Sequence, residues 1–456
     1  MKQGMFVGLM SLLAGAGLAH GKMQLRPPSD PANTQPATKA VPVEPVPTLP
    51  APAAVSSPLP PAVPAIPSPV PPWVKDTFDA VLCGEHDCER HGEFRAGVEY
   101  VLWFFPDRRE PRPFATTGLL GQSTLLGSSG DEHLERHLTS GGQLSLGYWM
   151  VDENPWVAGH EIRTLGVETR FLFVGQRSVN FRNGTAPAIV RPFFDLNDRS
   201  ESAIIVAAPG FATGALTAHA TMDVWGTEVN VWKNAHYSYP GTTFSVDLMA
   251  GFRFLDVDQD LEFGRRTVYN ANLAAFPTFL SFAGNQIQEQ ESFRTRNHFY
   301  GAQVGVSGRF FLEGVTVEGA AKLAVGTTNE EVRVEGNQVR TLADGTRTVA
   351  QGALLALPSN IGTFRRDKFA QVPELSTNVI WPVMHHVTLT TGFSALLLSR
   401  LVRASEQIDR GIDITQIPNY PPATTAVPTG FQRPSVPFEQ SSLWLLGIHF
   451  GVEITW

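Results

Sequence analysis

The last thirteen residues of the chain, Trp444–Trp456, have an apolar side chain at every second position, and most of the positions between them are glycine or polar. The apolar positions at its end are Phe450, Val452, Ile454 and Trp456, each separated from the next by glycine or a polar residue. Successive side chains of a β-strand point to opposite faces, so this segment predicts a strand with one apolar and one polar face. A chain with such a strand belongs in an antiparallel sheet that meets an apolar environment on one side.

The same alternation recurs along the chain after Trp73. Nine further segments show it: Phe94–Phe104, Gly142–Val151, Arg163–Gly175, Trp225–Val231, Phe244–Phe254, Tyr300–Ser307, Val315–Val325, Phe369–Ile380 and Val387–Leu397. Most are close to the roughly 9 to 11 residues that a tilted membrane strand needs, whereas strands of soluble proteins average about 5 to 6. Ten strands of this kind indicate a membrane barrel rather than a soluble β-sandwich.

Three shorter segments, Ser178–Phe181, Glu262–Tyr269 and Val332–Val339, either extend these strands or add a pair. Single-chain bacterial barrels have an even number of strands. The sequence therefore predicts an all-β fold, an antiparallel transmembrane β-barrel of about twelve strands within a range of ten to fourteen.

Composition agrees with a barrel and excludes two other classes. Mean hydropathy is -0.06, and after the N-terminus there is no apolar run long enough for a membrane helix. Barrels alternate lipid-facing and lumen-facing residues, so their average hydropathy stays near neutral. The net charge of -8 and the pI near 5.9 lack the basic footprint that nucleic-acid binding requires.

The N-terminal region divides into three parts before a barrel at 93–456. Residues 1–21 resemble a secretory signal peptide, with Lys2 before an apolar stretch and a cleavage site after Gly21; an uncleaved membrane anchor is the alternative. Residues 22–73 form a Pro/Ala-rich linker that we expect to be disordered and, in an outer-membrane protein, to lie in the periplasm. It serves as an inert spacer or contacts peptidoglycan or a partner. Residues 74–92 lead into the barrel.

This lead-in holds the only two cysteines of the chain, Cys83 and Cys88. After export they meet an oxidising compartment, where a disulfide between them is expected. Together with His86 and His91 they also suggest a tetrahedral metal site, although the spacing matches no standard zinc pattern.

Aromatic residues gather near the ends of the predicted strands. They are Tyr100, Trp103, Phe104, Phe105, Tyr148, Trp149, Trp232, Trp444 and Trp456. We interpret them as girdles at the two membrane interfaces, with aromatic packing in a soluble core as the alternative.

Long polar or Gly/Pro-rich segments between strands are expected to be external loops: Pro106–Ser140, Asn183–Gly214, Tyr269–Arg294 and Ile408–Glu439.

The polar face of the strands carries the residues that would line a lumen. The candidates, chosen by strand phase alone, are Arg95, Glu99, Glu168, Arg170, Asp247, Arg253, Glu318 and Lys322. In a conducting barrel, charged side chains at such positions set solute selectivity. In a barrel of ten to twelve strands, side chains and loops can instead fill the narrow interior.

Catalytic and metal-binding patterns are weak. No serine lies in a Gly-x-Ser-x-Gly elbow, and we predict neither an enzyme nor a cofactor. The acidic run Asp256–Glu262 lacks the glycine and the final glutamate of a calcium loop, so it allows at most loose divalent binding shared with lipopolysaccharide phosphates. His133 and His137 share a helical spacing that suits either a metal or a solvated loop helix.

Five segments together give the chain a family resemblance. They are Arg95–Trp103, Trp225–Val231, Ala250–Asp256, Asn297–Gly305 and Arg403–Asp409 with Ile412 and Asp413. The chain resembles the putative beta barrel porin-7 family of outer-membrane barrels, known mainly from planctomycete-type bacteria. It departs from that pattern mildly, with Phe254 where a tyrosine is usual and Trp103 followed by two phenylalanines where the resemblance implies a tryptophan-rich end.

The resemblance implies an outer-membrane location, with outer-membrane lipids around the barrel and an oligomeric state left open. The terminal strand with Phe450, Val452, Ile454 and Trp456 resembles the signal that the barrel assembly machinery recognises. We expect a porin that passes small solutes; a non-conducting structural or adhesive barrel is the alternative, and an outer-membrane hydrolase a remote third.

Overall fold

The computed structural model describes residues 91–106, 113–119, 124–128, 138–153, 161–238, 244–420 and 432–456. The expected signal peptide, the Pro-rich linker, Cys83, Cys88, His133 and His137 lie outside the described residues, as does the lead-in before His91. Among the described residues, no helix has the length and apolar character needed to cross a membrane.

Sixteen strands make up most of the described chain. They are β1 (His91–Phe104), β2 (Pro113–Thr116), β3 (Leu125–Ser128), β4 (Thr139–Glu153), β5 (Glu161–Asn183), β6 (Ile189–Asp195), β7 (Ser200–Ala207), β8 (Ala212–Ser238), β9 (Phe244–Tyr269), β10 (Gln286–Leu312), β11 (Val315–Thr341), β12 (Arg347–Gln351), β13 (Gly362–Met384), β14 (Val387–Val402), β15 (Gly411–Ile412) and β16 (Gln440–Thr455). Three short 3₁₀ helices cover Pro277–Phe282, Ala404–Gln407 and Ile414–Gln416.

Ten long strands form a closed antiparallel ring, in the order β1, β4, β5, β8, β9, β10, β11, β13, β14 and β16. Pairing of β1 with β16 closes it, so no ring strand is left with a free edge along its whole length. Ten is the lower end of the predicted range. The three undecided segments extend β5, β9 and β11 rather than adding strands to the ring.

An apolar belt covers the outward face of the ring. Alternate residues of each strand point outward, and large apolar side chains there remain exposed, including Val98 at 61%, Leu146 at 64% and Val304 at 61%. A contiguous apolar surface of this kind is unfavourable in water, and a lipid bilayer would bury it.

Four of the aromatic residues assigned to interfacial girdles face the interior instead. Trp103, Phe105, Trp149 and Trp232 are all at least 93% buried, so the girdle prediction is wrong for them. Tyr100, Phe104, Trp444 and Trp456 do lie on the outward face, with exposures between 37% and 49%. Strand phase explains the difference for Trp103, because it shares the inward face of β1 with Arg95 and Glu99.

The C-terminal strand β16 lies between β14 and β1. The amide N–H of Phe94 donates to the carbonyl of Trp456 at 2.9 Å, and the amide of Trp456 donates to the carbonyl of Phe94 at 3.0 Å. The two rings stack with centroids 6.3 Å apart. Phe450, Val452, Ile454 and Trp456 all present their side chains to the outside, with 44% to 53% exposed.

Strands β8 to β11 continue well beyond the apolar belt. On β9 the outward positions change from Phe252 and Phe254 to Asp256, Asp258 and Asp260, which marks the edge of the belt. Inside this extension, segments that were expected to be loops form a second, five-stranded sheet of β2, β3, β6, β7 and β15. Its apolar residues pack against inward residues of the ring strands, so this end of the barrel has a core of its own.

A charge placed in the apolar belt should destabilise the protein in a position-dependent way. We expect Val304→Lys, near the middle of the outward run on β10, to lower the free energy of unfolding by about 2–4 kcal/mol in lipid vesicles. Gln290→Lys, outward on the same strand but beyond the belt, should have an effect below about 1 kcal/mol. Urea unfolding in vesicles measures both, and equal effects would contradict the position of the belt.

Candidate functional site

The interior of the ring brings together the charged residues selected from strand phase. The strand registers place all eight on the inward face: Arg95, Glu99, Glu168, Arg170, Asp247, Arg253, Glu318 and Lys322. Seven of them line one cavity of about 340 Å³. The eighth, Arg253, lies beyond that cavity and lines a smaller one of about 20 Å³, which has room for about one water molecule.

We call the larger cavity the vestibule. It lies at the end of the ring where β1 begins and β16 ends, and serine, threonine and asparagine side chains and two indoles complete its wall. Its charged residues form ion pairs: Arg95 donates to Glu93 and to Glu453 at 2.9 Å, and Arg309 donates to Asp247 at 2.6 Å. The vestibule is therefore a polar recess with walls held by ion pairs.

Four charged side chains form a compact group at the inner end of the vestibule. Arg253 donates to both Glu228 and Glu374, and Lys322 donates to Glu228 and lies 3.7 Å from Glu374. The amide of Gln303 adds a hydrogen bond to Glu228 at 3.2 Å. We call Glu228, Arg253, Lys322 and Glu374 the charge quartet; each side chain is at least 90% buried, and the four charges balance.

Sequence reasoning missed two members of the quartet, Glu228 and Glu374. The phase of β8 and β13 carried the signal for both. Glu228 lies directly beside Arg170 on β5 and Arg253 on β9, and Glu374 lies directly beside Lys322 on β11. Neighbouring inward positions of opposite charge thus indicate the quartet once the strand register is known.

Beyond the quartet the interior becomes apolar. We call this part the plug layer; its buried residues include Val101, Trp103, Val174, Leu255, Phe299, Val372, Leu396 and Leu445, each no more than 6% exposed. Glycines on neighbouring positions make room for the largest of them. A Cβ atom at Gly141 would lie 2.6 Å from Nε1 of Trp103, and one at Gly447 would lie 2.9 Å from its ring. This pairing of small and large residues fills the interior across the ring.

The chain after β14 closes the interior on the far side of the plug layer. Asn297 on β10 donates to the carbonyl of Val402 at 2.9 Å and accepts from its amide at 2.8 Å, which fixes the chain inside the ring. Arg403 and Gln407, within the family-like segment Arg403–Asp409, are fully buried. That segment is therefore part of the interior filling.

A second group of buried charges, at the end of the ring opposite the vestibule, fixes the segment that contains Leu354 and Leu355. Glu291 accepts hydrogen bonds at 2.6 Å from the amides of Leu354 and Leu355 and from the Arg191 guanidinium. Glu289 next to it accepts from Arg265. Although burial alone would raise it, the nearby guanidinium groups of Arg265 and Arg191 hold the pKa of Glu289 below its ordinary value. Its stabilising contribution is therefore complete above the ordinary pKa of glutamate and is lost as pH falls through the lower folded value.

Among the described residues, one group has the spacing of metal ligands: Asp256, Asp258 and His298. It lies on the outward face just beyond the apolar belt. Each of the three residues already has a partner, because Asp256 accepts from the indole N–H of Trp225 at 3.0 Å and lies 3.3 Å from His298, and Arg296 lies 3.4 Å from Asp258. The arrangement is an ion-pair ladder between β9 and β10.

The chain belongs to the family described as Putative beta barrel porin-7 (BBP7), whose model matches residues 107–456. No curated protein matches the chain significantly. The predicted family is confirmed by this match, which contains four of the five segments that carry the resemblance; Arg95–Trp103 lies before it.

Several solved structures are distantly similar. The outer membrane protease OmpT from Escherichia coli has 7% identity and a TM-score of 0.34, with 80% of this chain and 97% of that chain covered. The transport unit of the autotransporter AIDA-I from Escherichia coli has 6% identity and a TM-score of 0.18, with coverage of 84% and 97%. A loop-deletion mutant of OmpT from Vibrio cholerae has 8% identity and a TM-score of 0.14, with coverage of 80% and 99%. At these TM-scores the likeness carries no functional information.

Proposed function

We propose that this chain is an outer-membrane β-barrel whose lumen is closed at rest, so that it does not conduct solutes freely. The observation that carries the proposal is the plug layer. Ring side chains from β1, β9, β10, β13, β14 and β16 meet across the interior and are almost completely buried. Ten strands enclose little more space than side chains can fill.

The connections between strands support one orientation in the membrane. At the vestibule end they are short, as between β10 and β11 at Glu313–Gly314 and between β13 and β14 at His385–His386. At the other end they are long, as between β9 and β10 or β11 and β13. Outer-membrane barrels have short periplasmic turns and long external loops. We therefore place the vestibule, the start of β1 and the exported N-terminal segment on the periplasmic side, and the second sheet outside.

A solute-conducting porin is the second candidate. The vestibule favours it, because a polar recess of about 340 Å³ reaches from one end of the ring to the charge quartet. Conduction would require the plug layer and the segment after β14 to move.

We further propose that the barrel has no enzymatic activity and that the outward residues of β16 engage the assembly machinery.

Planar-bilayer recording separates the two candidates. The folded full-length chain, identified by its heat-modifiable migration on gels, should show no stable conductance steps. Discrete steps of fixed size from the wild-type barrel would overturn the closed-lumen proposal. Trp103→Ala, which removes the largest plug side chain, should raise the leak current, whereas Tyr100→Ala on the outward face of the same strand should not.

A further inference from the structure

We propose that the vestibule binds a small organic dication, an aliphatic diamine, through the carboxylates of Glu99 and Glu318. The inference rests on the contents of the vestibule and holds whether or not the lumen conducts. Its volume of about 340 Å³ lies within the range of roughly 300–1,000 Å³ of small-molecule sites.

Every cation lining the vestibule already has a carboxylate partner. The pairs are Arg95 with Glu453, Arg163 with Glu93, Arg170 with Glu168, Arg309 with Asp247, and Lys322 with Glu228. Since each positive charge is thus compensated, any carboxylate left over adds negative potential to the recess.

Two lining carboxylates are left over. Glu99 forms no hydrogen bond or ion pair in the described part of the chain, and Arg170, the guanidinium that interacts with it electrostatically, is paired with Glu168. Glu318 accepts one hydrogen bond, at 3.3 Å from the neutral amide of Asn378, and its opposite neighbour on β10, Arg309, is paired with Asp247 instead. A recess with low-dielectric walls concentrates such uncompensated charge, and a cation would be stabilised there.

The positions of the two carboxylates favour a ligand with two separate positive groups. Glu99 is on β1 and Glu318 on β11, with three ring strands between them along one side and five along the other. Neither belongs to a metal-like cluster of the described residues, where ligand atoms lie within 4.8 Å of one another. A single metal ion therefore fits poorly, whereas a flexible diamine can place one ammonium group at each carboxylate.

The rest of the wall suits the body of such a ligand. Hydroxyl groups of Thr388, Thr390 and Ser376 offer hydrogen-bond acceptors for ammonium protons, and the Trp232 indole offers an aromatic face. Gly451 leaves room for Glu99, because a Cβ atom there would lie 2.6 Å from Cγ of Glu99.

Titration calorimetry of the folded full-length chain in micelles with 1,4-diaminobutane tests the proposal. We expect saturable binding by the wild type, and binding about tenfold weaker or more for Glu99→Gln and for Glu318→Gln, since each loses a charge-assisted hydrogen bond. Glu99→Asp keeps the charge and should retain most of the affinity. Glu262→Gln, which alters an exposed carboxylate on the outward face, should bind like the wild type.

Three results would overturn the assignment. The first is wild-type affinity in both glutamine variants when their gel migration shows that they are folded. The second is equal binding of the uncharged analogue 1,4-butanediol. The third is tighter binding of Mg²⁺ than of the diamine, lost in the same variants, which would make the carboxylates a divalent-metal site.

Discussion

Replacing Glu228 by glutamine should lower the free energy of unfolding by about 3–5 kcal/mol. The substitution keeps the shape of the side chain but removes one of the two negative charges that balance Arg253 and Lys322 in the quartet. Both cations are at least 97% buried, so water cannot compensate for the loss. Urea unfolding in lipid vesicles, followed by tryptophan fluorescence, measures the change.

A second substitution at the same site separates charge balance from packing. Adding Lys322→Met to Glu228→Gln leaves Arg253 paired with Glu374, so the group is neutral again. We expect the loss of unfolding free energy in the double variant to be smaller than the sum of the losses in Glu228→Gln and in Lys322→Met, by about 0.5–3 kcal/mol. Glu318→Gln, an inward carboxylate without a cationic partner among the described residues, serves as the control and should change stability by about 0.5 kcal/mol or less. Strictly additive losses would show that the quartet is not an electrostatic unit.

Period-two alternation was sufficient to predict the ring and the identity of its inward face. Arg95, Glu99, Arg253 and Lys322 all point inward because each lies in phase with its strand. The same phase would have placed Trp103 inside, but its nearness to the strand end suggested an interface. Phase is set by backbone geometry and is the stronger criterion, whereas the preference of an indole for an interface is weak enough for packing to override it.

What fills the interior could not be predicted in the same way. The plug layer depends on which glycine lies beside which large residue, as Gly141 on β4 lies beside Trp103 on β1. Predicting such a pair requires the register between the two strands, which alternation within one strand does not give. The docking of Val402 on Asn297 joins positions 105 residues apart. Strand length was also underestimated, because the outward face of β9 turns from apolar to acidic at Asp256 while its backbone pairing continues to Tyr269. Beyond the belt the alternation inverts, because apolar residues such as Val257, Leu261 and Phe263 now face inward, and the backbone pairing continues without a break.

Replacing Glu291 by alanine should cause local unfolding of the segment that contains Leu354 and Leu355. Its carboxylate satisfies the amides of Leu354 and Leu355 and pairs with Arg191, all of them buried. Without it, two amide donors and one guanidinium remain buried without their present acceptor, and we expect a loss of about 3–5 kcal/mol. Hydrogen exchange should show the loss locally, as faster exchange at Leu354 and Leu355 while the ring amides stay protected.

Glu335→Ala provides the matched control for this prediction. Glu335 lies on β11 and also pairs with an arginine, Arg333, but both side chains are about half exposed. Exposed pairs contribute about 0–1 kcal/mol, so exchange at Leu354 and Leu355 should be unchanged in this variant. Slow exchange at both amides in Glu291→Ala would mean that apolar packing of the segment, through residues such as Leu357, holds it without the carboxylate. Fast exchange in Glu291→Ala alone would instead identify one buried carboxylate as the anchor of the end opposite the vestibule, separate from the quartet in the middle of the barrel.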